Sequence, residues 1–258
     1  MKHHLDFYFN GEFSTVKGVF NATTDTGLYE DILLTERMIN TEIVKNQTKG
    51  YLLSLDRSLF SFTLLLASKD PWTRQKLDDI ATWLDVNYYK EFYFLDQADR
   101  RLFVMPSGEP TFTHTGTDLG YVTVQMSSIS PFSFSPKYTT TEYDISANTA
   151  GGYAIAFNNS GHFELMPIIR IRKVGVGTIT IVNETDLGRI FEIRNLADGE
   201  EVYINNETKE IVSEFARTYH YDDHNGNWLK LLKGNNSLRV YGNCHLEFEY
   251  RFRYSPTL

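Results

Sequence analysis

From Leu246 to Tyr254 the side chains alternate without a break. Leu246, Phe248, Tyr250, Phe252 and Tyr254 fall on one face, and Glu247, Glu249, Arg251 and Arg253 on the other. Successive strand residues point to opposite sides, so this run reads as a half-buried antiparallel strand with one wet face. Its apolar face needs a second sheet to cover it, which is the architecture of a β-sandwich. The preceding residues repeat the pattern in shorter pieces. Ile168 to Arg172 alternates apolar and basic residues, and Gly175-Val176-Gly177 precedes Thr178 to Val182. Arg189–Leu196 and Glu201–Asn205 flank the hairpin pair Asp198-Gly199, and Gly234-Asn235-Asn236 turns the chain into Leu238–Tyr241. Short strands punctuated by turns support a sandwich for the second half.

The first half is mixed. Leu5 to Phe9 runs into Asn10-Gly11 and then Glu12-Phe13-Ser14, a pair whose tolerance of positive φ fits a two-residue hairpin turn. Thr23 to Tyr29 is polar and turn-like. Thr35 to Lys49 scatters Met38, Ile39, Ile43 and Val44 among polar residues and reads as a projecting hairpin or extended loop. Leu59 to Leu66 is a clear strand. Asp70 then suits a helix N-cap and Pro71 the first helical position. Leu77, Ile80, Ala81 and Leu84 recur at helical spacing over about four turns, with Asn87 as the stop. Glu91–Leu95, Leu102–Met105 and Tyr121–Met126 read as further strands. The half closes on Pro131-Phe132-Ser133-Phe134-Ser135-Pro136. Lys137 to Tyr153 lacks periodicity and is either a linker or a first strand that crosses between domains. The expectation is a mainly β chain, α+β in its N-terminal half, with domains at 1–136 and 137–258. Few enzymes are built that way, whereas many structural and interaction proteins are.

Composition narrows the function classes. A chain of 258 residues holds one large β domain or two of ordinary size. Its 18 Phe and 16 Tyr suit pleated, half-buried surfaces. The net charge of −8 argues against a nucleic-acid surface, which needs a basic stripe. No apolar run approaches the ~18 residues that span a bilayer, and Met1 to Asp6 lacks the apolar core of a secretion signal. The expected place of synthesis and folding is a cytoplasm. The lone Cys244 cannot form an internal disulfide, and without an elbow motif around it reads as a buried structural residue rather than a nucleophile.

The chemistry-bearing motifs are weak. His220-Tyr221-Asp222-Asp223-His224 would place two imidazoles on one side of a helix and could then ligate zinc. Asn225-Gly226-Asn227 follows at once, which favours a loop between strands. His3-His4 lies at a terminus, where side chains are usually mobile. Gly175-Val176-Gly177 lacks the third glycine and the helix of a dinucleotide loop. Trp228, with Tyr219 and Tyr221, could stack on a sugar ring, or Trp228 could pack on Leu231-Leu232 beneath a loop. No catalytic, cofactor-binding or metal-ligating residue is assigned, and no cofactor is expected.

Taken in order, several features resemble the distal tail protein family of long-tailed phages. They are the Phe7–Gly11 hairpin, the helix from Pro71 to Leu84 with Phe92-Tyr93-Phe94 after it, and the close at Pro131–Phe134. Asn159-Ser160-Gly161, Pro167–Ile171, Thr178–Ile181 and the ending from Leu231 to Tyr254 follow at matching places. The resemblance implies an N-terminal β-sandwich with one helix and a projecting hairpin, and a galectin-like C-terminal β-sandwich hung outside. It implies a non-enzymatic virion protein that forms a homo-hexameric ring, single or as a stacked pair. Such a ring joins the tail tube protein to the tail-tip hub protein, with tape-measure and receptor-binding proteins as further partners, and no nucleic acid or membrane. The protein would be assembled in the host cytoplasm and reside at the virion tail tip. Thr35 to Lys49 sits where the family's ring-forming hairpin lies. Phe20, Tyr29 and Tyr51 are either interface aromatics or ordinary half-buried ones. The alternative is a monomeric carbohydrate-binding module protein that contacts host surface glycans.

Overall fold

The computed structural model describes residues 6–23, 34–45 and 47–256. Tyr29, His3-His4 and most of the Thr23–Tyr29 stretch lie outside the described residues. The chain divides into two compact units between Phe134 and Ser135, with the residues from Ser255 counted with the first. The proline signature Pro131–Pro136 spans that division.

Among the described residues, the first unit is a seven-stranded sheet, antiparallel throughout, with a helix on its apolar face. The strand order is Glu12–Phe13, Phe7–Phe9, Lys90–Phe94, Leu102–His114, Gly120–Ser128, Ser61–Ala67 and Phe20–Ala22. Asn10 and Gly11 both take positive φ, 47° and 86°, and make the tight turn their sequence announces. Period-two alternation sets the buried face: Leu64 stands opposite Val124 and Leu66 opposite Val122, all of them buried. Residues Arg37–Glu42 and Tyr51–Arg57 form a separate two-stranded hairpin.

The helix covers Arg74–Leu84, so it starts later than Asp70 and Pro71 suggest. The reason is a long-range tie. The Trp72 indole donates to the Gly120 carbonyl at 2.8 Å, and the Trp72 backbone N–H donates to the Asp118 carbonyl at 2.8 Å. Both bonds hold residue 72 against the neighbouring strand connection in non-helical backbone. Thr73 becomes the N-cap, its Oγ1 accepting from the Lys76 N–H at 3.2 Å. The last turn closes with the Asp85 N–H on the Ala81 carbonyl, ahead of Asn87. The helix is therefore about three turns long rather than four. Its buried residues are Ile80, Trp83 and Leu84, with Leu77 partly covered, whereas Ala81 is exposed. Trp83 takes the place expected of Ala81: its ring stacks on Phe7 at 5.8 Å, meets Phe9 edge-on at 5.7 Å, and its indole N–H donates to the Phe9 carbonyl. Burying each such side chain stabilises the fold by roughly 1.5–3 kcal/mol.

The second unit is a sandwich of two antiparallel sheets. One runs Tyr138–Thr139, Cys244–Tyr250, Ile168–Lys173, Glu201–Asn205 and Glu210–Ser213, with Tyr143–Ile145 also paired to Cys244–Tyr250. The other runs Tyr153–Asn159, Gly234–Tyr241, Gly177–Asn183 and Arg189–Leu196. Ile169, Ile171, Leu246 and Phe248 of the first sheet and Ile179, Ile181, Leu238 and Val240 of the second are fully buried in one core. Lys137 to Tyr153 thus contributes two short strands. The final alternating run is shorter than its sequence suggests. The long strand ends at Tyr250, because Phe252 N–H and Arg251 Nη1 bond Ser135 and the Ser135 N–H returns to the Phe252 carbonyl. Tyr250, Phe252 and Tyr254 are accordingly half-buried. Cys244 is buried opposite Lys173, and burial pushes its thiol up to about 12, with Lys173 pulling weakly the other way. An inert structural cysteine is what that environment makes.

Thr73, not Asp70, caps the helix. Thr73→Ala should lower unfolding stability by about 1 kcal/mol, while Asp70→Ala should leave it within about 0.5 kcal/mol, both read by urea denaturation.

Candidate assembly surface

The hairpin Arg37–Glu42/Tyr51–Arg57 is the feature of the first unit that its own fold does not explain. Among the described residues its strands pair only with each other. Register places Ile39 opposite Leu55 and Thr41 opposite Leu52, and on the alternate face Asn40 opposite Ser54 and Met38 opposite Asp56. A bulge between Asn40 and Thr41 leaves Leu53 as the extra residue. The two faces differ sharply. On one, Asn40 Nδ2 donates to Ser54 Oγ at 2.8 Å and Asp56 Oδ2 at 3.2 Å, and Ser54 Oγ also donates to Asp56. On the other, Ile39, Leu52 and Leu55 stand 63%, 64% and 45% exposed. Met38, Ile43, Val44, Tyr51 and Leu53 add further exposed apolar area. Exposed aliphatics are ordinary when scattered singly, but a contiguous apolar face marks an interaction site. A lone two-stranded ribbon is marginally stable in water, so covering this apolar face would stabilise it. At its base Arg37 faces Arg57, and partial burial followed by that like charge lowers the Arg57 guanidinium below its ordinary value.

Sequence reading found the first arm through Met38 and Ile39 but not the second. The signal was present in Tyr51-Leu52-Leu53-Ser54-Leu55, which has strand propensity and lies across a polar connection from the first arm. Of the three interface aromatics, Tyr51 belongs to the hairpin and is exposed. Phe20 sits in the edge strand Phe20–Ala22, half-buried beside Ala67, and Tyr29 lies outside the described residues.

In the second unit the histidine motif is a loop, and its imidazoles diverge. The His224 Nε2–H donates to the Asn227 carbonyl, its Nδ1 accepts from the Gly226 N–H, and its ring packs on Phe191 and Trp228. That wiring fixes a neutral tautomer, and burial pushes its pKa down, the Asn227 bond acting weakly against this. His220 is buried between Glu200, at 2.7 Å from Nε2, and Asp223, at 2.9 Å from Nδ1. Burial works against the charged ring, but the hydrogen bonds and charges of Glu200 and Asp223 outweigh it and hold His220 above 6.5. Glu200 lies below its ordinary range: burial opposes ionisation, but bonds from Ser213, the Ala197 N–H and His220 prevail. Bonds from His220 and then Asn195 lower Asp223. Among the described residues no group of three His, Cys, Asp or Glu side chains is placed to hold a metal ion. Glu200 carried no signal in the sequence, because its partnership with His220 links the turn before Glu201–Asn205 to the loop after Ser213.

Trp228 packs on the core and on His224, while the Tyr221 hydroxyl accepts from the Ile211 N–H at 3.2 Å. Trp228 and the Tyr221 hydroxyl thus serve separate structural contacts, while Tyr219 stands exposed. Gly175 and Gly177 form a strand-connecting turn, both at positive φ. A cavity of ≈ 10 Å³ lined by Phe92, Phe94, Leu102 and Ser133 has room for about one water.

A helix-covered sheet with a two-stranded ribbon, followed by a β-sandwich, defines a two-unit β protein whose distinctive surface is a hairpin left uncovered among the described residues. The crystal structure of the SPP1 Dit protein, described as a paradigm of the hub adsorption apparatus in phages that infect Gram-positive bacteria, shares this fold. It aligns with a TM-score of 0.71 at 11% identity, over 96% of this chain and 99% of that one. A chain of the phage P2 baseplate in its calcium-activated conformation aligns with a TM-score of 0.53 at 10% identity, over 96% and 98%. An uncharacterized SPbeta prophage-derived protein of Bacillus subtilis (strain 168), YomH, is 24% identical over 248 residues, covering 96% of this chain and 97% of its own. A family model described as a phage tail protein N-terminal domain matches residues 2–130, and one described as a phage tail C-terminal domain matches 136–250. The chain belongs to this family of phage tail proteins.

Removing Glu200 leaves a buried imidazolium without its main partner. Glu200→Ala should therefore cost about 3 kcal/mol near pH 6, whereas Asp222→Asn on the exposed side of the same loop should stay within about 0.5 kcal/mol, both by urea unfolding.

Proposed function

We propose that this protein is a non-enzymatic structural hub at the distal end of a long phage tail. In this reading a ring-forming domain at residues 1–136 closes into a homo-hexameric ring, single or as a stacked pair, and a domain at residues 137–258 lies outside the ring. The ring joins the tail tube protein to the tail-tip hub protein, near the tape-measure protein, and the outer unit carries receptor-binding or accessory proteins. Assembly takes place in the bacterial host cytoplasm, and the finished protein resides at the virion tail tip. Membership of a phage tail family and the distal-tail fold support this reading.

The observation that carries it is the uncovered hairpin. A heterologous contact repeated around a closed axis lets each copy cover the apolar face of its neighbour and leaves no copy with a bare one. Ile39, Leu52 and Leu55 are the residues such a contact would bury. The count of six comes from the family resemblance. A glycan-binding role has less support, because Trp228 is engaged with His224 and the core.

Light scattering on a sizing column tests the reading. The full chain should elute at six or twelve times the mass of one chain. The double variant Ile39→Asp/Leu55→Asp should run as a monomer, with its unfolding midpoint little changed because both side chains are exposed. A wild-type chain that stays monomeric at high concentration, or a variant that assembles like wild type, would count against the hairpin contact.

A further inference from the structure

Open sandwiches leave strand edges whose N–H and C=O groups invite pairing with other chains. In the second unit Arg189–Leu196 ends one sheet and Glu210–Ser213 ends the other. One short stretch of the loop that follows Ser213 attends to both. The Asn225 N–H donates to the Glu192 carbonyl, the Arg194 N–H to the Asp223 carbonyl, and Asn225 Nδ2 to the Ile190 carbonyl. His224 bridges Ile193 on the same edge. On the other sheet, Tyr221 Oη takes the outward N–H of Ile211.

What holds this strap is His220. It is 3% exposed, with Glu200 at 1%. Glu200 is itself fixed by Ser213 Oγ at 2.5 Å and the Ala197 N–H at 2.8 Å, and Asp223 by Asn195 Nδ2 at 2.6 Å. The His224 N–H closes the turn on the His220 carbonyl at 3.0 Å. Ionised carboxylates only accept, so both ring nitrogens must donate, which requires the imidazolium. A neutral ring would turn a lone pair toward one of the two carboxylates. The charged groups that act here are Glu200, from the turn before Glu201–Asn205, Asp223, from the strap, and Arg194, on the covered edge beside Asp223. Ser213 and Asn195 are neutral donors.

We propose that Glu200, His220 and Asp223 form a proton-controlled latch: the imidazolium clamps the Tyr221–Asn225 strap over both sheet edges, and its deprotonation, or protonation of the carboxylates, frees the strap and bares them. Phe215 and Tyr219, exposed on the same loop, would move with it.

The sign follows from the two ends of the latch. His220 is raised in the closed state, so its contribution is full below 6.5 and is lost as pH rises through the folded value. Glu200 and Asp223 are lowered, so theirs is lost as pH falls below their ordinary 4.5 and 3.8. Amide hydrogen exchange on the full chain, corrected for intrinsic rates, reads this directly. Protection of the Ile211, Arg194 and Asn225 amides should be greatest near pH 5.5. On the alkaline side it should fall about tenfold for each unit by which the folded His220 pKa exceeds its ordinary one. Core amides such as Ile181 and Val240 should hold. His220→Gln should give low edge protection with no such pH dependence. Edge protection that is flat with pH in the wild type, or a wild-type profile in His220→Gln, would overturn the latch. If that variant does not fold, the His220 ring titration by NMR decides: a midpoint below 6.5, or one unlinked to the loss of edge protection, refutes it.

Discussion

Each strand in this molecule has a face to cover and an edge to satisfy, and the fold is a set of answers to those two demands. In the first unit the helix answers the first. Trp83 lies over Phe7 and Phe9, and its indole N–H takes the Phe9 carbonyl, so one side chain covers an apolar face and satisfies a polar group within it. In the second unit two sheets cover each other through Ile169, Ile171, Leu246 and Phe248 against Ile179, Ile181, Leu238 and Val240. Among the described residues the hairpin Arg37–Glu42/Tyr51–Arg57 has no such answer of its own. Its polar face is tied internally by Asn40, Ser54 and Asp56, while Ile39, Leu52 and Leu55 face outward. The assembly account follows from that asymmetry.

The edges are handled by different devices. Asn10-Gly11 turns the first strand back on itself and Ser14 then closes on Phe7 through both backbone and hydroxyl. In the sandwich, the loop after Ser213 covers two edges at once and is held by a buried charge cluster as well as by the packing of His224 on Phe191 and Trp228. Buried charges depend on their partners for stability, which is why the proposed latch places proton sensitivity in this part of the fold and not in the sandwich core.

Patterns of period two and the Asn10-Gly11 turn were legible because they depend on local geometry. The inward residues of Ile168–Lys173, Gly177–Asn183 and Cys244–Tyr250 follow directly from alternation. What local sequence does not show depends on distant atoms. Asp70-Pro71 is a sound local start signal, yet Trp72 is bonded to Gly120 and Asp118, so the cap passes to Thr73. Ala81 fits the helical spacing, but Trp83 reaches Phe7 and Phe9 and defines the buried face. His220 could be singled out in the sequence, whereas Glu200 could not, since nothing local links the turn before one strand to a later loop. The first hairpin arm was visible as a polar run with stray aliphatics, and its amphipathic character emerges only when register brings Ile39 beside Leu55.

Hydrogen exchange along the hairpin tests the central claim most directly. The outward amides of Arg37–Glu42 and Tyr51–Arg57 would be followed in the isolated chain at low concentration and in the assembled form. The account predicts rapid exchange in the monomer and strong protection on assembly, with the exchange of Ile169 and Ile181 unchanged. Protection already complete in the monomer, or no gain on assembly, would contradict it.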